Sequence, residues 1–211
     1  MRQLTLSLSL AAGLLAGCSE QPPAPEADAA TPPASPAAAE SEVTGETDGM
    51  VAVAESMIDA FYSFDPTRLE PLLAEAGEAR EKILYYQGWA EGGNYKVLKR
   101  PGCVVESPTV VRCPITVEDD PVMALGSDFK VTDTFTLTFE GTTIVNVETS
   151  SDDQPIYYQA RKWVEKNKPE IMDGPCKDRG AGGKTPGDCA RAMTAAYAEF
   201  AASDDFPGLG G

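Results

Sequence analysis

The stretch from Phe129 to Phe139 alternates almost without a fault: Phe129, Val131, Phe135, Leu137 and Phe139 fall on one face, and Lys130, Thr132, Thr134, Thr136 and Thr138 on the other. Successive side chains of a strand point to opposite faces, so this pattern predicts a strand with one face buried and one face wet. A sheet with a single apolar face has to be covered by another layer. The neighbouring segments extend the sheet. Tyr95 to Val105 and Val110 to Val117 read as strands on either side of the turn Glu106-Ser107-Pro108-Thr109, which makes them an antiparallel hairpin. Gly141 then turns the central strand into a fourth, Thr143 to Thr149.

Helical periodicity flanks this block. Met50, Val53, Ala54, Met57, Ile58 and Phe61 recur at steps of three and four, the signature of an amphipathic helix. Asp65-Pro66 offers an N-cap and a first-turn proline for a short second helix with Leu69, Leu72 and Leu73 inward. A third helix is predicted from about Glu78 to Trp89, stopped by Gly92-Gly93. After the strands come a helix opened by Pro155, with Ile156, Ala160, Trp163 and Val164 inward, and a last one opened by Asp188, with Met193, Tyr197 and Phe200 inward. Helices grouped beside strands predict an α+β layer fold with an antiparallel sheet.

The N-terminus obeys a different logic. MRQLTLSLSLAAGLLAGC carries one basic residue and an apolar run of signal-peptide length, too short to span a membrane. Its end, Leu15-Ala16-Gly17-Cys18, resembles the lipobox of bacterial lipoproteins. That resemblance implies removal of residues 1–17 and acylation of Cys18 with diacylglycerol and palmitate-type chains, anchoring the chain to the cell envelope. Ser19, where an aspartate would retain the protein in the inner membrane, implies the outer membrane, facing the periplasm. Residues 18–48 are then expected to form an acidic Pro/Ala-rich tether, since Pro22, Pro23, Pro25, Pro32, Pro33 and Pro36 oppose a helix and no aromatic side chain is present to bury. In polyproline form such a tether would reach roughly 90 Å at about 3.1 Å per residue. Residues 49–206 are expected to form one globular domain, followed by a flexible tail at 207–211.

The segment AESMIDAFYSFDPTRLEPLLAEAG, from Ala54 to Gly77, resembles the opening of nuclear transport factor 2-like domains. The resemblance implies N-terminal helices packed on a curved antiparallel four-stranded sheet over residues 50 to 150, with the C-terminal helices as an addition. In the ketosteroid isomerase branch of that superfamily, inward carboxylates and tyrosines work in the cavity between sheet and helices.

Beyond Cys18, four cysteines remain in a chain whose signal directs it to an oxidising compartment, so two disulfides are expected. Cys103 and Cys113 lie symmetrically about the Pro108 turn and should face each other across the hairpin. Cys176 and Cys189 then close the Gly-rich loop before the last helix.

The chain contains no histidine, which excludes Ser-His-Asp and Cys-His catalysis and His-ligated metals. With 33 acidic against 17 basic residues it carries a net charge of −16, which disfavours nucleic acid. No cofactor and no metal site is expected. GAGGKT fails as a phosphate loop because Asp178 stands where a glycine is required. The pairs Asp119-Asp120, Asp152-Asp153 and Asp204-Asp205 lack the alternation of a calcium loop and read as exposed turn residues. One carboxylate is out of place. Asp133 falls on the apolar face of the central strand, where desolvation would raise its pKa, unless a bulge or a cation relieves it. Tyr62, Tyr86 and Trp89 are candidates to wall a ligand pocket beside it. The expected function is an anchored domain that binds a protein partner or a small ligand without catalysis. Two alternatives stand beside it: a small isomerase- or cyclase-like enzyme using Asp133, and an acidic inhibitor or scaffold for a basic envelope protein.

Overall fold

The computed structural model describes residues 36–177 and 186–209. Cys18, the expected signal peptide and the GAGGKT string lie outside the described residues. Helix α1 (Pro36–Phe61) starts thirteen positions before Gly49, so the last part of the expected tether is helical. Pro36 opens the helix instead of opposing it, because a proline in the first turn gives up an N–H that has no partner there, and Ala37 to Ala39 propagate the turn well. From Met50 on, most of the predicted stripe is buried: Met50, Ala54, Met57, Ile58 and Phe61 are each at most 1% exposed, while Val53 is half-buried at its margin.

Asp65 caps α2 (Pro66–Leu69), its Oδ1 accepting the Thr67 N–H at 2.9 Å. The short helix expected here is α-helical for one turn and then tightens into a 3-10 turn, Glu70–Leu73, around Pro71. Leu69 and Leu73 are fully buried, as the spacing predicts, whereas Leu72 is half-buried. Helix α3 (Glu78–Gly92) ends at Gly93. On its inner side Gln87 donates to the carbonyls of Ala60 and Phe61 at 3.0 and 3.1 Å, adding a second donor to acceptors that the turn after α1 already meets through the Ser63 and Phe64 N–H groups.

The sheet has five strands, one more than expected. The first expected strand is broken into β1 (Lys96–Lys99) and β2 (Val104–Ser107), which lie end to end along the same edge of β3 (Val110–Glu118). The cause is local. Pro101 has no N–H for a ladder, and Gly102 sits at φ 99°. The broken segment is pinned to α1 instead: the Arg100 guanidinium pairs with Glu55 and Asp59, and the Cys103 N–H donates to Glu55 Oε1 at 2.5 Å. β4 (Val131–Glu140) and β5 (Thr143–Ser151) complete an antiparallel sheet in the order β1-β3-β4-β5. The alternation predicted for β4 holds residue by residue, from Val131 through Phe139. Phe135 meets Phe61 edge to face at 4.9 Å, joining sheet to helix.

Both expected disulfides are present, Cys103–Cys113 across the hairpin and Cys176–Cys189 before the last helix. Two single-turn helices escape periodicity, α4 (Asp120–Met123) and α6 (Pro169–Met172). Helix α5 (Pro155–Asn167) and helix α7 (Pro186–Ala201) build a second core with Leu125, Ile156, Ala160, Val164, Met193, Tyr197 and Phe200. Trp163, expected inward, is half-buried: its ring leans on Phe200 while its indole N–H reaches Asp205 at 2.8 Å.

Helix α7 approaches α3 through glycines. A β-carbon on Gly92 would run into the backbone of Gly187, and one on Gly88 into the Pro186 ring. Gly92→Ala is therefore expected to lower stability by about 2 kcal/mol or more, although alanine is the better helix former by ~1 kcal/mol. Gly45→Ala, in α1 with open space around it, should leave stability unchanged or raise it. Urea midpoints of the two variants check the contrast.

Candidate tyrosine-lined cleft

Where the two cores meet, the fold leaves a cleft of about 580 Å³. α3 supplies Tyr85, Tyr86 and Trp89; Tyr95 follows after the Gly92-Gly93-Asn94 corner. Thr149 and Ser151, two apart, project from the same face at the end of β5, and Asp153 follows them. α5 contributes Tyr157, Tyr158 and Arg161, and α7 contributes Met193 and Tyr197, one turn apart. Six of the seven tyrosines of the chain line this one space.

The rings support one another. Tyr86 stacks on Phe135 of the sheet at 6.0 Å and meets Tyr95 edge to face at 6.3 Å. Tyr157 meets Tyr158 at 5.9 Å and Tyr197 at 5.5 Å. Burial, first among the causes, pushes the hydroxyls of Tyr86, Tyr95 and Tyr157 well above their ordinary pKa; neighbouring tyrosines come next for Tyr86 and Tyr157, Asp119 for Tyr95. All three hydroxyls keep their protons at neutral pH and remain able to donate.

Three carboxylates stand in or behind this wall. Asp153 is half-buried at the cleft, accepts the Tyr158 hydroxyl at 3.3 Å, and is raised to about 6, first by burial and then by Asp133. Asp133 is 1% exposed; Oδ1 accepts the Ser151 hydroxyl at 2.6 Å, Oδ2 faces the Tyr62 hydroxyl at 3.5 Å, and Tyr86 bonds to it as well. Burial raises its pKa against these three donors. Asp119, 3% exposed, caps α4 by accepting the Val122 N–H at 2.9 Å, and is raised to about 7 by burial.

Of the residues proposed from sequence, Tyr86 and Trp89 line the cleft. Asp133 and Tyr62 do not: they sit one layer behind, with Asp133 touching the lining through Ser151 and Tyr86. Asp133 is turned inward by an unbroken register with Ile115, not released at a bulge. Two acidic pairs read as exposed turns are each split by the fold. Asp119 is buried by its capping role while Asp120 is half-buried, and Asp153 turns inward while Asp152 stays outside to accept the Thr132 N–H at 2.6 Å. Tyr85, Tyr95, Tyr157, Tyr158, Tyr197, Asp153 and Arg161 were not foreseen. The signal was in the doublets Tyr85-Tyr86 and Tyr157-Tyr158: adjacent helical positions are about 100° apart, so both rings of a doublet cannot enter one core.

No protein family, no curated protein and no solved structure matches this chain. Among the described residues no helix is long and apolar enough to cross a membrane.

The folded chain holds the Asp119 proton until about pH 7, whereas the unfolded chain releases it near 3.8. The folded state therefore binds the extra proton between those values, and this contribution to stability is complete below the lower value and lost as pH rises through the upper one. It is worth on the order of 2 kcal/mol between pH 5 and pH 8, and Asp153 acts in the same direction. Asp119→Asn keeps the cap and removes the buried charge. The variant should gain stability over the wild type at pH 8, with the gap closing toward pH 5. Paired thermal melts across that range test it.

Proposed function

We propose that this chain is a lipid-anchored cell-envelope protein whose folded domain binds a small ligand in the tyrosine-lined cleft and does not transform it. The observation that carries the reading is the gathering of six tyrosines and Trp89 around one cavity of about 580 Å³, a size and lining suited to a small molecule. The lipobox-like Leu15-Ala16-Gly17-Cys18 supports an acyl anchor at Cys18, and Ser19 supports the outer membrane facing the periplasm. The two disulfides fit an oxidising compartment.

The order of three helices followed by an antiparallel sheet supports a nuclear transport factor 2-like reading of the first core. In that reading the cleft is an addition, since α5 and α7 supply five of its twelve lining residues. The isomerase-like alternative asks Asp133 to meet a substrate. Its position behind Tyr86 and Ser151 favours a different task, orienting those two hydroxyls. Docking of a basic envelope protein on the acidic surface remains the outcome to be distinguished from ligand binding.

Native mass spectrometry of the chain extracted from its own envelope in mild detergent decides between them. A small added mass, lost on denaturation, is expected; a bare chain with a co-purifying protein overturns cleft binding. In parallel, Cys18→Ser should move the chain from the detergent phase to the aqueous phase in a phase-separation assay. Unchanged partitioning would refute the acyl anchor.

A further inference from the structure

We propose that the cleft recognises an organic ammonium ion, a quaternary or protonated amine, held against the faces of its aromatic rings and by the Asp153 carboxylate. This deepens the cleft-binding reading and rests on it. Aromatic faces carry negative potential, and a cation set over them is attracted the more strongly as water is excluded. The arrangement of the rings decides between two kinds of aromatic site. A flat ligand such as a sugar or a base needs a platform. Here neighbouring rings stand nearly at right angles: Tyr86 to Tyr95 at 88°, Tyr157 to Tyr158 at 90°, Tyr157 to Tyr197 at 83°. Walls set at right angles suit a rounded group better than a flat one.

The charges point the same way. Asp153 lines the cleft, and Asp133 lies directly behind Ser151, which lines it too. Arg161 is the one basic residue of the lining, and its guanidinium is drawn 3.3 Å from Glu165. An anionic ligand would have to approach buried carboxylates with only Arg161 to offset them, whereas a cation gains from each. Asp153, raised to about 6, is ionised at neutral pH and so available as the counter-charge. The net charge of −16 also concentrates cations at the surface of the chain.

The test is a titration of the full-length chain with choline, read by Trp fluorescence and calorimetry, beside 3,3-dimethylbutan-1-ol, which replaces the ammonium nitrogen by carbon and keeps the shape. Choline is expected to bind about tenfold more tightly than the neutral isostere, and Asp153→Asn to weaken choline by a similar factor while sparing the isostere. Arg161→Gln should strengthen choline binding, because it removes a like charge; a structural or anion-binding role would make it weaker. Equal binding of choline and the isostere, or loss of choline binding in Arg161→Gln, overturns the cation inference and leaves a cleft that binds ligands. If choline does not bind and native mass spectrometry finds a neutral or anionic molecule retained, the inference fails alone. If choline does not bind and the native chain is bare, the cleft-binding reading fails with it.

Discussion

Helix α3 has to satisfy two cores at once, and the rest of the structure follows from how it does so. Toward the sheet it presents Ile83, Ala90 and Gln87; the glutamine closes the end of α1 and so fixes the depth at which α3 sits. Toward the C-terminal helices it presents Gly88 and Gly92, one turn apart, which let the start of α7 come within backbone contact. A helix that packs on both sides has a narrow strip left over. That strip carries Tyr85, Tyr86 and Trp89, and it becomes a wall of the cleft. The cavity is thus a product of packing, and the Cys176–Cys189 bridge keeps α7 from swinging away from it.

The electrostatics of this region run against stability. Asp133, Asp119 and Asp153 are desolvated together, and burial raises all three. Among the described residues no Lys or Arg side chain forms an ion pair with any of them. They are met by hydroxyls and backbone amides instead: Ser151, Tyr62 and Tyr86 for Asp133, Val122 for Asp119, Tyr158 for Asp153. A neutral donor offsets part of the desolvation of a carboxylate without cancelling its charge. Of the three only Asp153 lines the cleft, and its charge there is met by a tyrosine hydroxyl and no cation.

Much of the first core was legible because its signals are periodic. The alternation of β4, the stripe from Met50 to Phe61 and the Asp65-Pro66 cap each encode geometry in neighbouring residues. The division of β1 from β2 was written in Pro101 and Gly102, but a hydrophobic run on both sides masked it. The cleft was harder. Its lining comes from α3, β5, α5 and α7, over a hundred residues apart in the chain, and no local pattern reports which faces will meet. Asp119 shows the same limit at small scale. Nothing in Glu118-Asp119-Asp120 distinguishes the buried cap from its half-buried neighbours until α4 is placed against the sheet.

Asp133 shows how a conspicuous residue can matter without touching a ligand. A general base must reach the proton it removes, yet the oxygens of Asp133 point at Ser151, Tyr62 and Tyr86. A hydroxyl that donates its one proton inward keeps only acceptor lone pairs for other partners, and Ser151 of the lining donates to Asp133. A carboxylate one layer back thereby leaves the Ser151 hydroxyl of the lining an acceptor. An acceptor oxygen beside ring faces and a nearby carboxylate make a surface that favours positive charge, and a catalytic base is not needed to explain why an acid stands on the apolar face of β4.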